Sequence, residues 1–176
     1  MKKLLNDPYK YVDEMLVGMC AAHPEIYRQT GEGGRVIARA GSQRPDKVGI
    51  VSGGGSGHLP VFTGYVGHGL LDACAIGDVF ASPSVEQMAE AMKVAHAGAG
   101  VLRLYGNYGG DVMNFDMGQD FARLEGHKVE TVLINDEISA FPVDQAEERR
   151  GTTADHLVIH VAGAAAESGM GFDDLK

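Results

Sequence analysis

Apolar residues along this chain fall into two spacings, one helical and one of short unbroken runs, and the two alternate from end to end. Val12, Met15, Leu16 and Met19 recur at helical intervals after Asp7-Pro8, a side-chain cap followed by a proline at the first helical position, and His23-Pro24 closes the segment. A polar, glycine-rich stretch follows, and Arg35 to Arg39 then reads as a short strand. Lys47-Val48-Gly49-Ile50-Val51 is apolar and β-branched enough for a buried strand, and it leads straight into Ser52-Gly53-Gly54-Gly55-Ser56-Gly57-His58-Leu59-Pro60. Leu70 to Ile76 is the next apolar run. Ser82-Pro83 repeats the cap-and-proline signal ahead of a helix carried by Val85, Met88, Ala89 and Met92. Gly100 to Tyr105 reads as a strand with the loop 106–111 after it, and Met113, Met117, Phe121 and Leu124 give the following helix one apolar face. Val129 to Ile134 is a strand ending in Asn135-Asp136-Glu137, and the charged residues 147–151 form a solvated loop. Leu157, Val158, Val161, Ala164 and Ala165 mark a last helix, with Gly169 as its C-terminal stop.

Strands alternating with helices of this length predict an α/β fold, a sheet with helices on both faces. The 176 residues suffice for one well-cored domain and are few for two. Hydrophobic residues at 44% and charged ones at 22% are ordinary for a soluble globular chain, whereas 25 glycines, many between apolar runs, point to tight turns and close backbone approaches. A formal net charge of -9 argues against a nucleic-acid partner, which needs a basic face. No apolar run approaches the roughly 20 residues of a membrane span. Cys20 and Cys74 have no metal-like spacing and read as core residues, which fits a reducing cytoplasm.

The chemistry concentrates in two polar, glycine-rich loops, 52–58 and 106–111, both following strands. Ligands of open α/β sheets collect at the carboxyl ends of strands. If the two strands are neighbours, His58 and Asp111 face one small pocket and supply an imidazole and a carboxylate to position a hydroxyl and take its proton. The glycine run exposes backbone N–H groups to an oxygen-rich ligand, although a tight strand-to-helix turn would use glycine too. It is neither a Walker-type loop, having no Gly-Lys-Ser/Thr, nor a dinucleotide fingerprint. Asp111 stands just before an apolar helical face and reads equally as an N-cap. His68, in another glycine-rich turn, is a further candidate for the pocket. His156 and His160 have the spacing of a metal pair but no third ligand, so no metal site is assigned.

These motifs, taken together, resemble the dihydroxyacetone kinase family. The resemblance rests on Asn6-Asp7-Pro8, the glycine run with His58, Gly77-Asp78-Val79-Phe80-Ala81-Ser82-Pro83, Asn107-Tyr108-Gly109-Gly110-Asp111, Arg149-Arg150-Gly151 and Ala162-Gly163-Ala164-Ala165-Ala166-Glu167. They run in order along the whole chain and are similar to the first half of the ketose-binding K domain. The resemblance implies that this part holds a short ketose, while a separate L domain or subunit brings the phosphoryl donor, ATP-Mg or a phosphorylated carrier regenerating bound nucleotide. It implies that Gly55, Ser56 and Gly57 contact substrate through their backbone. His58 and Asp111 would hydrogen-bond the terminal hydroxyl and act as acid/base groups while it attacks phosphorus. It further implies a cytoplasmic homodimer, and that no cofactor is bound by these residues themselves.

Two departures from the family pattern bear on function. The family's K domain has a second half with a histidine that forms a hemiaminal with the ketone. The chain ends at Lys176, and none of its seven histidines matches that residue. Triose-specific members carry a lysine just before the Asn-Tyr, where this chain has Gly106. With Leu59 after the histidine, the pattern is similar to relatives acting on four-carbon ketoses such as erythrulose, so a ketose larger than dihydroxyacetone is expected. The competing expectation is a non-catalytic, ketose-binding or regulatory relative.

Overall fold

The computed structural model describes residues 4–58 and 60–176, which leaves Leu59, and any role for it in ketose choice, outside the described residues. Six strands form one sheet in the order β1-β2-β4-β3-β5-β6. These are β1 (Tyr27–Thr30), β2 (Val36–Arg39), β3 (Lys47–Gly55), β4 (Ala73–Gly77), β5 (Gly98–Gly106) and β6 (Val129–Ile134). β4, β3, β5 and β6 run parallel to one another, while β2 pairs antiparallel with β4 and β1 antiparallel with β2 to complete that side.

Alternation along the strands sorts their side chains onto two buried faces. Ile37, Ile50, Ile76, Leu102 and Leu104 pack against α1 (Tyr11–Ala22), α4 (Ala154–Ser168) and the short α5 (Phe172–Leu175), through Leu16, Ile159, Ala166 and Phe172. Val36, Val51, Ala75, Val101 and Tyr105 pack against α2 (Val85–Ala95) and α3 (Gly109–Leu124), through Met88, Met92 and Phe115. The expected sheet with helices on both faces is the observed fold. Arg103 is the exception on the second face. It is buried, donates from Nη1 to the Phe115 carbonyl at 2.5 Å and from Nη2 to Gln119 and Thr131, and so ties α3 to the sheet.

Several local expectations need correction. The glycine run is strand as far as Gly55, because β3 pairs with β4 through Gly55↔Gly77. Its glycines serve packing: a Cβ on Gly54 would lie 2.2 Å from the Phe62 ring, and one on Gly53 would lie 2.7 Å from the Ala75 carbonyl. β1 reads Tyr-Arg-Gln-Thr, an edge strand without an apolar run, and its order comes from its ladder with β2. α1 starts at Tyr11, since Asp7 instead caps a 3-10 turn over Pro8–Lys10. α2 is capped by Ser84, reciprocally with Gln87, and not by Ser82.

The stripe Met113, Met117, Phe121 and Leu124 is exposed, and α3 buries Phe115, Gly118 and Ala122 instead. Close approach to α2 is the cause: a Cβ on Gly118 would already stand 3.1 Å from the Val85 carbonyl, so small residues face inward. Likewise Leu157 and Val161 of α4 point outward while Ile159, Ala162, Gly163 and Ala166 are buried. Gly169 closes α4 in the left-handed conformation, as its position predicts. Cys74 is buried and Cys20 partly so, and both are free thiols.

Candidate active site

Parallel strands β4, β3 and β5 end side by side, and the chain leaving each contributes to one cleft of about 510 Å3. β3 leaves through a 3-10 turn over Ser56–His58, β4 through Asp78 to Ser82, and β5 through Asn107-Tyr108 into the first turn of α3. A fourth segment, Gly151 to Asp155 at the start of α4, borders the same space. Asparagine side chains hold these loops to one another. Asn107 Nδ2 donates to the carbonyls of Glu147 and Arg149 at 2.8 and 2.7 Å, and Asn114 Nδ2 donates to that of Pro83 at 2.8 Å. Asp136, after β6, accepts from the backbone N–H groups of Thr152 (2.7 Å) and Ala154 (2.9 Å) and thereby fixes the start of α4.

The neighbouring strands expected for His58 and Asp111 are present, and both residues border the cleft. His58 is exposed, its ring 5.3 Å from that of Phe80 and edge-on to it. Phe80 adopts φ 55, uncommon for a bulky residue, and this turns its ring toward the histidine's side of the cleft. Asp111 is half-buried in the first turn of α3, but the N-cap position belongs to Tyr108 and has no side-chain bond. The capping role therefore does not consume this carboxylate. Its Oδ1 is buried with no hydrogen-bond partner among the described residues. Burial lifts the Asp111 carboxyl above the usual carboxylate range, against the opposing pull of the Ser82 hydroxyl and of His58.

Of the glycine run, Gly55 borders the cleft. Ser56 lies beneath it: its N–H is engaged by the Asp78 carbonyl at 3.1 Å, and its buried Oγ has no partner among the described residues. Gly57 is exposed, and a Cβ there would meet the Phe80 ring at 2.7 Å. Gly106 is buried under Tyr108, where a Cβ would lie 3.0 Å from the tyrosine ring and 3.1 Å from the Gly151 carbonyl. His68 is elsewhere, its Nε2 3.2 Å from Glu167. His156 and His160 flank Tyr65, with His160 Nδ1 2.7 Å from the His156 carbonyl oxygen. Among the described residues no three His, Cys, Asp or Glu side chains are grouped to hold a metal ion.

The cleft contains one ionisable group that sequence reasoning missed. Asp155, at the second position of α4, is 7% exposed, and its Oδ1 has no partner among the described residues. Burial first, and the like charge of Asp136 second, push its carboxyl up to about 7. In sequence it stands after Thr-Thr-Ala at a helix start, where an acidic residue is unremarkable.

Residues 17–176 match the Dak1 domain. The chain belongs to the Dak1 domain family. It is 46% identical over its whole length to the dihydroxyacetone-binding subunit of PTS-dependent dihydroxyacetone kinase 1 from Listeria innocua, of which it covers 53%. It is 43% identical over 97% of its length to D-erythrulose kinase from Mycolicibacterium smegmatis, covering 29% of that enzyme. This Dak1 domain thus spans about half, or less, of the curated relatives it matches. Among solved structures, dihydroxyacetone kinase from C. freundii in complex with AMP-PNP and Mg2+ superposes with a TM-score of 0.87 at 30% identity, over 99% of this chain and 32% of that one. A dihydroxyacetone kinase operon co-activator superposes at 0.82, also at 30% identity, over 92% of this chain and 49% of that one. No described helix is long and apolar enough to cross a membrane.

Proposed function

We propose that this Dak1 domain is the ketose-holding part of a kinase that phosphorylates a terminal hydroxyl of a short-chain ketose. The observation that carries the reading is Asp111, whose buried Oδ1 lacks a hydrogen-bond donor beside a cleft it shares with His58. A buried acceptor left unpaired costs about 1–3 kcal/mol, and a ligand hydroxyl placed against it recovers that loss. Its raised carboxyl is also a stronger proton acceptor than an ordinary aspartate. In the proposed reaction the terminal hydroxyl gives its proton to the His58–Asp111 pair. The oxygen then bonds to the γ-phosphorus as the bond to the nucleoside diphosphate breaks. Such transfers depend mainly on positioning and charge stabilisation, which suits a division between a substrate holder and a donor holder.

The donor, ATP-Mg or a phosphorylated carrier acting through bound nucleotide, is assigned to a partner L domain or subunit. Two points support that assignment: these residues carry no nucleotide-binding loop motif, and the relatives include a binding subunit so named. A tetrose such as erythrulose is proposed over dihydroxyacetone, on the strength of Gly106 and of the erythrulose kinase relative. Position 106 acts indirectly in this reading, because it has no side chain to send into the cleft and Tyr108 covers it. A cytoplasmic homodimer is proposed for the whole protein from the family resemblance alone, and sedimentation would test it.

The deciding experiment assays phosphoryl transfer by the protein at its natural full length, with a nucleotide-binding partner, over three- to five-carbon ketoses. Erythrulose is expected to give the higher kcat/KM, and His58→Ala and Asp111→Ala each to lower kcat by roughly 10^2–10^4-fold. Unchanged kcat in both variants would refute the assigned roles. The second reading, a ketose-binding regulator, draws support from the co-activator, which matches at the same 30% identity as the kinase though at a lower TM-score. Calorimetric binding of ketose without turnover under any donor would select it.

A further inference from the structure

Asp155 is a buried carboxyl for which the proposed phosphoryl transfer has no use, and its bland explanations fail one by one. It is not half of an ion pair: no cationic side chain pairs with it among the described residues, and the charged neighbour that acts on it is another carboxylate, Asp136. It is not the helix cap either. Asp136 already accepts from Thr152 N and Ala154 N at the start of α4. Nor is it a solvated surface carboxylate, since it is 7% exposed. Its Oδ1 packs against the main chain at Gly151, where a Cβ would lie 3.1 Å from it, though the glycine itself is demanded by the Ile134 carbonyl at 2.4 Å and Gly106 Cα at 2.5 Å. What remains is a carboxyl on the wall of the cleft bordered by His58 and Asp111, whose buried Oδ1 lacks a donor and whose small exposed remainder is what a ligand in the cleft reaches. A buried polar group without a partner in a native fold calls for an explanation, and for a carboxyl on the wall of a cleft a ligand supplies one.

We propose that Asp155 is the residue that sets ketose specificity, by hydrogen-bonding a ligand hydroxyl other than the one phosphorylated. The inference rests on the ketose reading above and extends it. The division of labour follows from the neighbours. Asp111 shares its part of the cleft with an imidazole and a serine hydroxyl, whereas among the described residues no hydrogen bond joins Asp155 to a base that could take a proton from it. It can hold a hydroxyl. A site built around a substrate hydroxyl rejects the analogue lacking it far more strongly than an apolar pocket rejects an extra methylene, because the buried carboxyl is then left unpaired. Ketoses of three and four carbons differ in just this respect, in how many hydroxyls they carry and where.

The test compares full-length wild type with Asp155→Asn and Asp155→Ala, supplied with the nucleotide-binding partner, on dihydroxyacetone, erythrulose and the monodeoxy analogues of erythrulose. In wild type, deleting one particular non-phosphorylated hydroxyl should raise KM roughly 10–100-fold. In Asp155→Ala that penalty should shrink below about threefold, with KM for erythrulose raised and kcat nearly unchanged. Asp155→Asn, which keeps one oxygen and adds donors, should fall between the two. A hydroxyl penalty of the same size in wild type and variants overturns the assignment. So does a loss of folding stability in Asp155→Asn at pH 8, which would make the carboxyl part of the scaffold. Absence of ketose phosphorylation by wild type itself would instead remove the ketose reading, and this inference with it.

Discussion

The two ends of the sheet both bury charged side chains, and they treat them in opposite ways. At the amino ends of β3 and β4, Lys47 and Asp72 are fully buried and sit 2.5 Å apart. Asp72 also accepts from Arg39 at 3.2 Å and from the Ile50 N–H at 2.8 Å. Arg39 goes on to Glu167 at 2.8 Å. Burial would raise the Glu167 carboxyl, but Arg39 and Lys47 outweigh it and hold the group below its usual range. Each charge there meets an opposite one within the protein, even though burial raises the Asp72 carboxyl and leaves Arg39 Nε without a partner. At the carboxyl ends, Asp111 and Asp155 are likewise raised by burial, but neither carboxylate has a cationic side chain paired with it at ion-pair distance among the described residues, and each leaves one oxygen without a donor. A fold can bury charge for its own architecture or hold it ready for a ligand, and the pattern of partners tells the two apart.

The largest effect should come from breaking the completed end. Asp72→Ala leaves Lys47 and Arg39 buried with Glu167 as their one remaining acidic partner and should cost about 3–5 kcal/mol of folding stability, read from urea unfolding at pH 7. Replacing the pair, with Lys47→Met added, should return much of that loss. A single variant costing under about 1 kcal/mol would show that Glu167 or water, not Asp72, was satisfying the cations, and the contrast between the two ends would disappear.

At the cleft end the sign of the trade reverses. Asp111→Asn should lower kcat at least about a hundredfold while leaving the urea midpoint unchanged or raised, since it removes a charge that burial disfavours. Parallel loss of stability and activity would mean that Asp111 belongs to the scaffold, like Asp72.

How far the sequence announces each end follows from the same physics. β3 and β5 are legible because buried central parallel strands leave dense apolar runs such as Ile50-Val51 and Val101-Leu102, and β6, the half-buried edge on the other side, is legible from Val132-Leu133-Ile134. β1 is not, because an edge strand of Tyr, Arg, Gln and Thr takes its order from Val36 to Arg39 opposite, which no local pattern reveals. The α3 stripe misleads for a related reason: Met117 and Phe121 are the more apolar residues, but Gly118 and Ala122 permit the closer approach to α2. His58 and Asp111 are legible because each sits just past a recognisable strand on a glycine-rich loop. Asp155 is hidden. Nothing in Thr152-Thr153-Ala154-Asp155 indicates that Asp136, from a distant loop, takes over the start of α4 and leaves the later carboxyl free.

The smallest effect, and the one most specific to Asp155, is a dependence of stability on pH. Its folded value of about 7 lies above the ordinary aspartate value, so the fold favours the neutral acid. That preference is fully present below about pH 4 and is lost as pH rises through 7, above which the carboxylate is held at a cost. A rise from the ordinary aspartate value to about 7 corresponds to about 4 kcal/mol, which partial solvent screening reduces to about 2 kcal/mol. Asp155→Asn should therefore match wild type near pH 4 and exceed it by about 2 kcal/mol at pH 8. The ionisable groups acting on this carboxyl are Asp136 after β6 and Tyr108 after β5, with Arg150 over the tyrosine ring, and all are common to both proteins. Asp136 is held below the usual carboxylate range and Tyr108 above the usual phenol range, so neither titrates between pH 4 and 8 and the change across that window reports on Asp155. A difference that stays constant from pH 4 to 8 would mean that the carboxyl has a donor after all. A difference that grows with pH would mean that the native fold keeps an acid at this position against its own stability, the condition under which a ligand hydroxyl can be read.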